Sequence, residues 1–117
     1  MRPFLLDTNV CIALLNGTST PVARRFAAES PATVRVCSIV VAELLFGAQK
    51  SRNPPLALAS AERLLAPLVS VPFDDRAAWE YGIFRAQLEL AGTPIGGNDL
   101  MIAAIARASD LTLVTRN

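Results

Sequence analysis

Four short apolar or β-branched runs are separated by stretches of helical periodicity, and this alternation is the strongest constraint on the fold. Residues 3–7, 33–37, 68–71 and 111–115 read as strands. Between them the spacing predicts helices over 8–16, 20–29, 39–50, 56–66, 75–91 and 99–109. Asn16-Gly17 stops the first of these helices and Gly92 the fifth. Ser38, Asp74 and Asn98 read as N-caps. The third helix carries an apolar stripe of Val41, Leu44, Leu45 and Ala48; the fifth carries Ala77, Tyr81, Phe84 and Leu88. Ser51-Arg52-Asn53-Pro54-Pro55 reads as a loop and the best candidate for a mobile segment. Strands alternating with helices dictate a parallel α/β sheet with right-handed crossovers. Such sheets gather ligands outside the carboxyl ends of their strands.

At 117 residues the chain suits a single domain. A hydrophobic content of 52% excludes a disordered chain. No apolar run approaches the roughly 20 residues that span a bilayer. The N-terminal apolar stretch ends at Asp7, a poor signal peptide, so the expectation is a soluble, cytoplasmic protein. Cys11 and Cys37 lack C-x-x-C spacing and are expected to be reduced core residues. The absence of histidine is more restrictive. It removes His-dependent activation of Ser or Cys nucleophiles and His-containing zinc sites. A hydrolase built from this chain must lean on carboxylates, and with them on a metal ion. Net charge is +1, so no global basic field advertises nucleic-acid binding. All but one of the 11 basic residues are Arg, which suits phosphate, but ordinary surface charge explains that equally well.

Three acids sit in apolar company. Asp7 ends Phe4-Leu5-Leu6, Glu43 lies within Ser38 to Phe46, and Asp99 heads Leu100 to Ile105. Each has a plain reading: Asp7 as a helix cap, Glu43 as a surface residue at the edge of a stripe, Asp99 as a first-turn acid favoured by the helix dipole. Asp99, however, shares a face with Ile102, Ala103 and Ala106, and that face is expected to point inward. Lone acids are rarely buried unless paired or metal-bound. Clustered carboxylates repel, and Mg²⁺ or Mn²⁺, which take oxygen ligands, would remove the penalty.

Four stretches in order carry a resemblance: Leu5-Leu6-Asp7-Thr8-Asn9, Ser38 to Ala48, Ile95 to Ala104, and Leu113-Val114-Thr115-Arg116-Asn117. Together they resemble a PIN-domain ribonuclease, specifically the VapC-type toxin of bacterial toxin–antitoxin pairs. The resemblance implies a PIN-like three-layer sandwich, a short parallel sheet flanked by helices, as a single domain over residues 1–117 that lacks the family's usual C-terminal tail. It implies an endoribonuclease in which Asp7, Glu43 and Asp99 are catalytic and bind Mg²⁺ or Mn²⁺. Thr8 and Thr115 match hydroxyl positions near that site, and Asn117 stands where the family often has a fourth acid. The implied partners are an RNA substrate, a cognate antitoxin that blocks the acidic pocket, and a second copy of the chain in a homodimer; no membrane is implied. A haloacid dehalogenase-like phosphatase fits less well, because Asn9 stands where its acid/base Asp is needed. An inert PIN-like binding module would not need all three acids.

Overall fold

The computed structural model describes residues 2–116. In chain order the elements are β1 (Phe4–Leu6), α1 (Thr8–Asn16), α2 (Thr20–Ala28), β2 (Val34–Cys37), α3 (Ser38–Gln49), α4 (Pro54–Leu65), β3 (Val69–Val71), α5 (Asp75–Ala91), α6 (Gly97–Ala108) and β4 (Thr112–Val114). The strands form one parallel sheet in the order β3-β2-β1-β4. Phe4 stands opposite Val34 on one side and Thr112 on the other, so β1 is central. This is the expected α/β sandwich with a short parallel sheet.

The winding explains where a site belongs. From β1 the chain steps outward to β2 and then β3; it then returns across the sheet to β4, on the other side of β1. The direction of winding therefore reverses between β1 and β4, and open α/β sheets bind ligands in the crevice at such a point. Asp7 and Thr115 immediately follow these two strands.

Packing is centred on β1, β2 and α6. Leu5, Val36, Val40, Cys11, Cys37, Ile102 and Ile105 are the largest fully buried side chains. Both cysteines are free and buried, as expected. Helix α6 is built for deep burial: small Ala104, Ala106 and Ala108 sit beside Leu100, Ile102 and Ile105, and all six are buried. Among the described residues no helix is long and apolar enough to cross a membrane.

Several local expectations need correction. A short 3₁₀ turn over Pro31–Thr33 delays β2 by one residue. Residues 54–55 are helix, not loop: Asn53 caps α4 by accepting from the Leu56 N–H at 3.3 Å, and both prolines sit in the first turn. Proline is tolerated there because those N–H groups have no helical partner. Ser38 is the first residue of α3 rather than its cap, and its Oγ accepts from the Phe73 N–H instead. Helix α6 begins two residues early, at Gly97, which places Asn98 inside it. In α3 the buried positions are Val40, Leu44 and Ala48, whereas Leu45 is exposed.

Candidate active site

Asp7 is fixed by the backbone on both sides. Its N–H donates to the Val114 carbonyl at 3.1 Å, tying the end of β1 to the end of β4. Its Oδ1 accepts from the Val10 N–H at 2.9 Å, which caps α1. Burial holds the Asp7 carboxyl above the usual carboxylate range, opposed by the N–H groups of Val10, Arg116 and Asn9; the negative charge of Asp99 pushes it further up. Asp7 and Asp99 are thus electrostatic neighbours although 92 positions separate them, counting from 7 to 99.

Glu43 reaches the same edge from α3. The Thr8 hydroxyl donates to its Oε1 at 2.7 Å, a charge-assisted bond of good geometry. Thr8 adjoins Asp7, so this bond couples the second acid to the first through one residue. Asp99, in the first turn of α6, is exposed rather than inward-facing. The inward face of α6 is real, with Ile102 and Ala106 buried, but in the first turn it is Leu100 that is buried and not Asp99. A Cβ on Gly96 would stand 3.7 Å from Asp99 Oδ2, so the chain entering α6 runs close beside that carboxylate. Thr115 is exposed just beyond β4. Asn117 lies outside the described residues.

The core beneath registers the acids. Burial, then the charge of Asp7, pushes the Cys11 thiol up to about 12. Burial also raises Cys37, with a smaller push from Glu43, against the N–H groups of Val40 and Ile39. Both thiols therefore stay protonated and serve as packing.

The donor set fits a hard divalent cation in kind: carboxylate and hydroxyl oxygens, with no histidine anywhere in the chain. Burial and the charge of Asp99, only partly offset by the N–H donors, burden the Asp7 carboxylate in a way that a cation would relieve. As they stand, however, no three His, Cys, Asp or Glu side chains among the described residues are close enough to cage an ion. The acids occupy one edge as two halves, Asp7 with Asp99 and Glu43 with Thr8. Sequence reasoning had no means of finding the N–H group of Arg116 at Asp7, because a backbone donor leaves no mark in residue identity.

A model of the PIN domain matches residues 4–117. The chain belongs to the PIN-domain family. Its relatives within the family include VapC proteins. The tRNA(fMet)-specific endonuclease VapC of Salmonella typhimurium is 39% identical, over 100% of this chain and 88% of that protein. Ribonuclease VapC2 of Haemophilus influenzae is 36% identical over the same shares. Among solved structures, VapBC2 from Rickettsia felis bound to a DNA fragment from its promoter superimposes with a TM-score of 0.90 at 32% identity, covering 97% of this chain and 86% of that one. In this PIN domain the acidic edge at the winding reversal is therefore the place to look for chemistry.

Proposed function

We propose that this PIN domain is an endoribonuclease, the toxin of a toxin–antitoxin pair, and that it requires Mg²⁺ or Mn²⁺ held by Asp7, Glu43 and Asp99. The observation that carries the reading is Asp7 at the carboxyl end of β1, with Asp99 an electrostatic neighbour and the Glu43–Thr8 pair adjoining it, in a chain that matches the PIN family over residues 4–117. The VapC relatives are named as nucleases of RNA, which supports RNA as the substrate.

When bound, the cation supplies a Lewis acid that makes water a nucleophile near neutral pH and offsets charge on the phosphate. The chain's own residues orient and hold. Asp7 is locked by backbone donors, so it can meet a cation without losing side-chain freedom on binding. Thr8 fixes the rotamer of Glu43 through Oε1. Asp99, exposed in the first turn of α6, would supply the third carboxylate for the cation. With no histidine and Lys50 the sole lysine, the chain lacks the usual bases for attack by a ribose 2′-hydroxyl. Hydrolysis by water then leaves a 5′-phosphate and a 3′-hydroxyl.

The partner is a cognate antitoxin. A groove of about 540 Å³ between α1, α3 and α4, with Ile12, Leu44 and Leu56 among its walls, has Glu43 in its lining. A peptide seated there lies against the second acid, so one binding event both neutralises and blocks the site.

The deciding experiment maps RNA ends after incubation of the purified protein with tRNA(fMet) and Mg²⁺ or Mn²⁺. Ends with 5′-phosphate are expected, and 2′,3′-cyclic phosphates would overturn the mechanism. In parallel, Asp99→Asn should sharply reduce Mn²⁺ binding by calorimetry while leaving the melting curve of the metal-free protein cooperative. Unchanged binding would remove Asp99 from the ligand set.

A further inference from the structure

A shallow depression opens beside the acidic edge. It is lined by polar Thr8, Glu43 and Asn98 together with apolar Ile12, Ile39, Ala42 and Phe46. It is thus continuous with the candidate active site, since Thr8 and Glu43 belong to both. Phe46 lies one turn beyond Glu43 on α3 and is 66% exposed. Single exposed apolar side chains are ordinary. An aromatic ring that lines one concavity with two isoleucines and the Glu43 carboxylate is less so.

We infer that this depression seats the unpaired nucleobase next to the cut phosphodiester, with Phe46 as its stacking platform. The inference rests on the nuclease reading above and adds how the substrate is held. The argument starts from charge. A net charge of +1 gives the chain little attraction for RNA, and three carboxylates at the site repel phosphate. Local affinity needs a source besides charge. Stacking on an aromatic face supplies it, because every base has a π-face and unpaired bases can be splayed out to reach one. The depression offers the remaining features a base would use. Its isoleucines pack the second face, and the Asn98 carboxamide presents both a donor and an acceptor to a polar edge. Lys50, the sole lysine, holds its Nζ over one face of the Phe46 ring, 5.2 Å from the centroid, so the base stacks on the opposite face and its flanking phosphate meets a positive charge nearby.

The test uses the full chain and tRNA(fMet), with the cut position mapped first, and compares wild type, Phe46→Ala and Phe46→Trp. Phe46→Ala should lower kcat/KM about 10- to 100-fold, mainly through KM, as expected for losing one stacked base. Phe46→Trp should restore it. Wild type acting on RNA with an abasic sugar beside the cut should lose a similar factor, and Phe46→Ala should lose little more on that RNA. Trp79→Ala, which removes an exposed aromatic from α5, should leave kcat/KM unchanged. An active wild type with an equally active Phe46→Ala overturns this inference alone, as does a Phe46→Ala loss that is just as large on abasic RNA. A Phe46→Ala protein that cleaves normally but escapes its antitoxin assigns the depression to the protein partner and also overturns it. A wild type that cleaves no RNA overturns the nuclease reading, and this inference with it.

Discussion

Asp7 does two jobs that conflict: it caps α1 and it holds a charge in a partly buried place beside Asp99. Asn caps a helix as well as Asp does. In chelator at pH 7, Asp7→Asn should therefore melt at a higher temperature than wild type. The sign follows from linkage: the folded pKa of Asp7 is raised, so its contribution to stability is present at low pH and is lost as pH rises through that pKa. The advantage of Asn should accordingly vanish on acidification, once wild-type Asp7 is protonated. In excess Mn²⁺ the order should reverse, because only a protein that binds the ion gains its binding free energy. Melting curves at two pH values, with and without metal, check all three; a variant that melts lower in chelator at pH 7 would show that the N–H donors outweigh burial. Thr8 makes a simpler case. Thr8→Ala frees Glu43 Oε1 from a 2.7 Å bond and should cost about tenfold or more in kcat/KM, the size of a hydrogen bond to a charged group. Thr8→Ser, which keeps the hydroxyl, should recover most of it in the same cleavage assay.

Helix α5 separates two uses of glycine. Gly92 ends it at φ 69° and its N–H donates to the Glu89 and Leu88 carbonyls, a left-handed position that a Cβ strains. Gly82 lies inside it with open space where a Cβ would stand. Gly92→Ala should destabilise by about 1 kcal/mol and Gly82→Ala should stabilise by about 0.5–1 kcal/mol, both read from chemical denaturation. Gly92 was legible in the sequence, and so were most of the elements, because caps and breakers are local chemistry. What could not be read has physical reasons. The buried line of α3 was misassigned because Val40, Val41, Ala42, Leu44, Leu45 and Phe46 make the helix apolar nearly all round, so periodicity carries no contrast. The start of α6 was missed because Gly96 and Gly97 enter the helix by backbone geometry alone, while Asn98 offered a better cap on paper. The acids themselves were visible as polar residues in apolar runs. Their actual partners were not: the Thr8–Glu43 bond spans 35 positions, and the donor from Arg116 to Asp7 belongs to the main chain.

At the scale of the molecule, the apolar surface that the core does not need falls in two areas: one along α5, at Trp79, Ile83 and Leu90, and one beside the site. Leu56 is 62% exposed in the groove between α1, α3 and α4, and Ile12 stands in both that groove and the depression beside Glu43. A chain that keeps an apolar groove in water gains from having it covered, and the antitoxin segment proposed above would cover it while lying against Glu43 in its lining. Reversing that surface should separate inhibition from catalysis. Leu56→Glu places a charge in the groove, on α4, away from Asp7 and Asp99. Because Leu56 is largely exposed, the change should shift stability by no more than about 0.5 kcal/mol. The affinity for antitoxin should fall about 10- to 100-fold, the usual cost of losing an apolar anchor. Cleavage by the free protein should be unchanged. Titrating antitoxin into a cleavage assay measures both at once: the rate without antitoxin reports the site, and the inhibition midpoint reports the groove. A midpoint that does not move would place the antitoxin elsewhere. A fall in the uninhibited rate would mean that RNA, not the antitoxin, uses the wall that Leu56 forms.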